Sequence, residues 1–246
     1  MLLQACLNGN REPGVHSALP LSPDELAHTT RNAINAGAQA LHIHPRRSEG
    51  SETLVAKDCG TAIATIRASS PGIPIGVSTA LWIEPDIQHR LTLIQSWQIL
   101  PDYASVNFSE PGIVELCNLL LTKGIGIEAG IWTIDDARFL CKSGIASRCL
   151  RLLIEPPEKE MVAAQATVEA IEHCLDEGNI QIPRLLHGQD ATTWPLLELA
   201  LQRGYDTRIG LEDTLSLPNG EIAHDNTELV ATAYEMAKKV GRIQYN

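Results

Sequence analysis

The chain has 246 residues, 44% apolar and 20% charged, which is the composition of a globular protein with a sizeable core. Its net charge of −11 is the wrong sign for holding a phosphate backbone, and no apolar run approaches the ~20 residues of a membrane span. No nucleic-acid or membrane partner is therefore expected.

The chain order is an alternation. LLQACL, at 2–7, reads as a strand, and a helix follows over 22–37, where Ser22 can cap, Pro23 sits in the first turn and Gly37 ends it. ALHIHP, at 40–45, is the second strand, with a helix at 55–70. PIGVST (74–79) precedes a helix at 86–97, and YASVNF (103–108) one at 112–124. GIEAGI (126–131) precedes 133–144, and CLRLLIE (149–155) precedes 160–178. PRLLHG (183–188) leads to 193–204, and TRIGLED (207–213) to 226–241. Eight strand–helix units fill 1–246 with no linker between them. Alternation predicts a parallel sheet, and eight units predict closure into a single-domain (β/α)8 TIM barrel. The competitor is an open doubly wound sheet, but no Gly-rich phosphate fingerprint follows the first strand.

The strand cores read as apolar, with polar residues gathered at the C-terminal ends: Asn8, His42, His44, Ser78, Asn107, Glu128, Glu155, His187, Arg208, Glu212 and Asp213. That end is where barrel enzymes build their sites, so the pattern points to an enzyme. His42 and His44 are two apart on a strand and share a face, with Arg46 next along it. Such a pair reads either as core or hydrogen-bonded histidines or, with a carboxylate, as a divalent-metal site, zinc foremost, and the other polar strand ends favour the metal. The third ligand is Glu212, from the strand that closure brings beside the first, or Glu128 from across the barrel. Arg208, Glu212 and Asp213 read either as an internal ion pair or as ligand, base and tuning cation. Ser78, Thr79 and Asn107 are candidate oxyanion donors, with helix capping the equal alternative for Thr79. His187 reads equally as substrate-facing or as bonded to the rim, and Trp82 and Trp132 read first as packing and second as a pocket wall.

Cys6, Cys59, Cys117, Cys141, Cys149 and Cys174 are scattered, without a CxxC pair. With no basic start and long apolar run in MLLQACLNGNREPG, they are expected as reduced thiols of a cytoplasmic protein. None is expected at a strand's rim end, so no cysteine nucleophile is assigned, and no GxSxG elbow is present.

The segments NGNREPGVHSALPLSPDELA, AGAQALHIHPR, VST, VNF, IEAG, RIGLEDTL and NTELVATAYEMAKKVGR resemble the β-keto acid cleavage enzymes nearly end to end. The resemblance implies a zinc-dependent barrel that converts a β-keto acid and acetyl-CoA into acetoacetate and a new acyl-CoA. It carries the metal ligands onto His42, His44 and Glu212, and deprotonation onto Asp213 with Arg208, supported by Glu128. Ser78 and Asn107 fall at positions that contact substrate. A homo-oligomer, a tetramer by family habit, is also implied. Relatives that take an amino-bearing substrate carry a Glu near the end of the first strand, where this chain has Arg11 with Glu12 beside it. That exchange makes Arg11 a substrate-side candidate and suggests a neutral or anionic side chain on the substrate. The loops STALWIEPD, NFSEPGIVEL and IEPPEKEM also depart from the family's Gly-rich or longer forms. Two rivals stand beside this reading: a metal-dependent lyase that uses no CoA, and a non-catalytic barrel that binds a small acid.

Overall fold

Side-chain alternation along eight short strands decides the architecture. They are β1 (Leu3–Cys6), β2 (Ala40–Ile43), β3 (Ile75–Ser78), β4 (Tyr103–Asn107), β5 (Gly126–Ile131), β6 (Arg151–Ile154), β7 (Arg184–Leu186) and β8 (Thr207–Ile209). In the computed structural model, which describes residues 1–243, they form one parallel sheet in the order β7-β6-β5-β4-β3-β2-β1-β8. The remaining gap is closed by a parallel bridge between Leu185 and Asp206. Leu186 N donates to Asp206 O at 3.0 Å, and Asp206 N to Arg184 O at 2.9 Å. The sheet is thus a barrel.

The helices α1 (Pro23–Asn35), α2 (Ala56–Ser69), α3 (Ile87–Gln95), α4 (Ile113–Thr122), α5 (Ile134–Ser143), α6 (Met161–Glu177), α7 (Thr193–Arg203) and α8 (Asn226–Lys239) alternate with the strands as the sequence predicts. Local chemistry sets their starts. Ser22 accepts from Glu25 N while Glu25 answers with a bond to Ser22 N, and Thr133 and Asp136 form the same reciprocal box at α5.

The main apolar core lies between strands and helices. Leu3, Leu41, Ile75, Val106, Ile127, Leu152, Leu186 and Ile209 all face outward into it and are buried. The barrel interior is different, and here the expectation of apolar strand cores fails. Gln4, Tyr103, Glu128 and Arg151 have the opposite parity and meet inside the barrel. Gln4 Nε2 donates to Tyr103 Oη at 2.9 Å and to Glu128 Oε1 at 2.8 Å. Arg151 Nε lies 3.1 Å from Glu128 Oε1, and its guanidinium stands 5.3 Å from the Tyr103 ring centre. A helix-covered strand needs only its outer face to be apolar. The inner face can be polar if the polar groups satisfy one another.

Candidate metal centre

His42 closes β2's inward row, and His44 continues it just past the strand end. Glu212 arrives from beyond β8, which stops at Ile209; Asp213 N and Thr214 N both bond back to Gly210 O, forming a turn. Gly210 permits that turn because the chain presses against β1: a Cβ there would lie 1.9 Å from Cys6 O. The turn also removes strand parity from residues 210–213, so Glu212 and Asp213 both reach the interior.

The three ligand candidates converge. His42 Nε2 and His44 Nε2 are 3.1 Å apart, and they lie 3.8 and 3.7 Å from Glu212 Oε1. Ligands about 2.0–2.2 Å from a tetrahedral zinc stand roughly 3.3 Å apart, so the triangle is close to that of a metal site. The protonation pattern agrees. Glu52 bonds His44 Nδ1, which places the proton there and leaves the Nε2 lone pair facing inward. Burial, then the charges of His44 and Arg208, holds His42 well below the ordinary histidine range and keeps it neutral. Burial alone would raise Glu212, but Arg208, His44 and His187 outweigh it and hold the carboxyl below its usual range. Glu212 Oε2 is buried without a hydrogen-bond partner. A neutral His42, a His44 with its Nε2 turned inward and an ionised carboxylate with a spare oxygen suit a divalent cation. Glu128, the rival third ligand, is not part of this group. It sits midway along β5, fully buried in the polar plug; burial raises its pKa against the pull of Arg151, and it does not line the cavity.

Arg208 stands beside the triangle. Its Nη2 donates to Glu212 Oε1 and to Asp213 Oδ1, both at 2.7 Å, and its Nε donates to Asp213 Oδ1 at 3.0 Å. Asp213 Oδ2 is buried with no hydrogen-bond partner among the described residues. His187 bridges two carboxylates, with Nδ1 3.4 Å from Asp213 Oδ1 and Nε2 3.1 Å from Glu155 Oε2. Burial and Arg208 push its pKa down, but hydrogen bonds to Asp213 and Glu155 prevail and raise it.

These groups open on a cavity of about 300 Å³ at the C-terminal mouth of the barrel, lined also by Asn10, Ser78, Trp82, Ser105, Asn107, Trp132 and Gln189. Several expected residues take other places. Thr79 is buried with its hydroxyl given to Ser105 O at 2.7 Å, and it does not line the cavity. Arg11 turns away, donating to Leu211 O and Glu212 O and pairing with Asp190, so it adds no cation to the cavity wall. Arg46 braces the first two loops by bonding Gly9 O, Arg11 O and Gly50 O. Asn107 gives its amide to Glu110 Oε1 at 2.8 Å. Cys6 corrects the expectation for the cysteines: it ends β1, facing inward. Burial holds its thiol well above the usual range, which disqualifies it as a nucleophile at neutral pH.

Glu52 and Glu110 escaped the sequence reading, because each lies in a loop and gains its role only from the partner the fold brings to it. Of the two expectations for Trp82 and Trp132, packing and a pocket wall, the structure shows the second: both line the cavity and donate their indole N–H groups to Glu52 Oε2 and Glu155 Oε1.

Residues 1–245 match the family described as beta-keto acid cleavage enzyme. The 3-keto-5-aminohexanoate cleavage enzyme of Fusobacterium nucleatum is 24% identical over 259 residues, covering 98% of this chain and 93% of that one. Its namesake from Acetoanaerobium sticklandii is 23% identical over 261 residues, with the same coverage. Among solved structures, the complex of ObcA with oxaloacetate has a TM-score of 0.66 at 17% identity, covering 89% of this chain but only 63% of ObcA. The 3-dehydroquinate dehydratase of Geobacillus kaustophilus has a TM-score of 0.63 at 10% identity, covering 95% of this chain and 91% of that one. At such identities these structures speak for the barrel fold alone.

Proposed function

Because this chain belongs to the β-keto acid cleavage enzyme family, we propose that it exchanges acyl groups between a β-keto acid and acetyl-CoA, releasing acetoacetate and a new acyl-CoA. The observation that carries this reading is the His42–His44–Glu212 triangle with an Arg208-clamped aspartate beside it at the barrel mouth.

A divalent cation held by His42, His44 and Glu212, zinc by ligand type, supplies Lewis-acid polarisation of the keto group. Asp213 is the base. Arg208 fixes its Oδ1, so its unpartnered Oδ2 is left to take the proton from C2 of the keto acid, flanked by two carbonyl groups. The C2 carbanion attacks the thioester carbonyl and expels the CoA thiolate. The thiolate then adds to the original C3 carbonyl, the C2–C3 bond breaks, and the carbanion that leaves is acetoacetate. That carbanion takes the proton back from Asp213 Oδ2, which completes acetoacetate, restores the base and leaves every atom of both substrates in the two products. Arg208 stays protonated throughout, since the carboxylates around it offset its burial. Ser78, the last residue of β3, lines the cavity and serves the substrate carboxylate.

The test is zinc-loaded protein incubated with acetyl-CoA and a panel of β-keto acids, with mass spectrometry of the CoA products. A new acyl-CoA together with acetoacetate supports the reaction. Cleavage without any new acyl-CoA points to the CoA-independent lyase instead.

A further inference from the structure

The wall facing the metal ligands carries a second arrangement that the reaction above does not use. Gly130 is an inward residue of β5 and pairs with Asn107 of β4. Having no side chain, it leaves a bare patch. A Cβ placed there would lie 2.8 Å from Glu155 Oε1 and 2.9 Å from Asn107 Oδ1. Two side-chain acceptors, one from β4 and one from just past the end of β6, therefore pack side by side over the bare Gly130 backbone where a Cβ would not fit, and both residues line the cavity.

Their other bonds fix which atoms face that spot. Asn107 gives its amide nitrogen to Glu110 Oε1 at 2.8 Å, and Glu110 is held by Arg90 and by Leu81 N. A carboxylate on that side dictates the orientation of the amide, so the Asn107 oxygen points the other way. Glu155 takes Trp132 Nε1 on Oε1 at 2.5 Å, and its Oε2 lies 3.1 Å from His187 Nε2. A carbonyl or carboxylate oxygen has two lone pairs, and so each oxygen keeps capacity for one more donor. Among the described residues that line the cavity, the basic groups on this side are already engaged: Arg208 is spent on Glu212 and Asp213, and His187 lies between Glu155 and Asp213.

We propose that Glu155 Oε1 and Asn107 Oδ1 form a donor-recognising subsite, which binds a hydroxyl or ammonium group on the carbon chain of the β-keto acid and rejects a second carboxylate. This rests on the proposed function and adds the substrate class to it.

The experiment titrates zinc-loaded protein calorimetrically, without acetyl-CoA, using four six-carbon acids: 3-oxohexanoate, 5-hydroxy-3-oxohexanoate, 5-amino-3-oxohexanoate and 3-oxohexanedioate. The hydroxy or the amino acid should bind about 10–100-fold more tightly than 3-oxohexanoate, the range for a hydrogen bond to a charged group. The dicarboxylate should bind weakest. Glu155→Gln keeps an acceptor oxygen but loses the charge, so it should abolish a preference for ammonium while sparing one for hydroxyl; this separates the two donors. Gly130→Ala, which pushes the two acceptors apart, should erase either preference while the protein still holds its metal. Equal binding of all four acids, tightest binding of the dicarboxylate, or a donor preference that survives Gly130→Ala would overturn the subsite and leave the proposed reaction standing. Binding of none of the four would overturn both.

Discussion

His44 owes its role to Glu52. A neutral histidine has one lone-pair nitrogen, and the carboxylate behind Nδ1 decides that it is Nε2 that faces His42 and Glu212. His44→Ala should abolish stoichiometric zinc and activity together, as read by metal analysis of purified protein; a variant that retained full zinc would refute the ligand assignment. Glu52→Gln keeps the shape but weakens the orienting bond, so zinc affinity should fall about 10–100-fold in a competitive chelator titration. Asp213 makes the opposite prediction. Asp213→Asn should keep its metal and lose about 10²–10⁴-fold in turnover, the contribution of a positioned base. Unchanged turnover would move the base to another group.

At the scale of the element, α1 is fastened at its start by the Ser22–Glu25 box. Ser22→Ala should lower stability by about 1 kcal/mol in urea unfolding, since an N-terminal amide loses its acceptor. The same box is pH-sensitive. Hydrogen bonds from the Ser22 and Leu21 amides hold Glu25 below its usual value of 4.5, against a small opposing effect of burial. A depressed carboxylate stabilises the fold above its unfolded-state pKa and loses that contribution as pH falls through the folded one. Glu25→Gln should therefore flatten the stability profile below about pH 4.5 and leave its slope near neutrality unchanged. The element boundaries were legible for such reasons: Ser22, Thr133, Gly144 and Gly204 are all punctuation with a local mechanism. The end of β8 was less so. TRIGLED reads as one strand through Asp213, yet pairing stops at Ile209, because the contact of Gly210 with Cys6 O is a tertiary event.

At the scale of the molecule, the barrel is filled by a polar plug where bulky aliphatic layers are usual. Glu128 and Arg151 are a buried pair, so removing one partner strands the other. Arg151→Leu should cost about 3–5 kcal/mol in urea unfolding, and Arg151→Leu combined with Glu128→Leu should recover much of it. The double variant also separates two roles for Glu128. If the plug is purely structural, turnover returns with stability; if Glu128 supports the base, turnover stays low.

Some of this protein was determined by its sequence alone. Eight strand–helix units, their approximate limits, the parallel sheet and its closure follow from periodicity and local caps, because those signals act within a few residues. His42 and His44 were legible as a pair, because period two along a strand puts them on one face. The rest depended on contacts between distant segments. Glu212 rather than Glu128 completes the triangle, Arg11 turns away from the cavity, Glu52 stands behind His44, and the inner face of the strands is polar. A side chain's role is set by which partners come within about 3 Å of its polar atoms. Only closure of the barrel brings together residues far apart along the chain, such as Gln4 and Glu128 or His42 and Glu212.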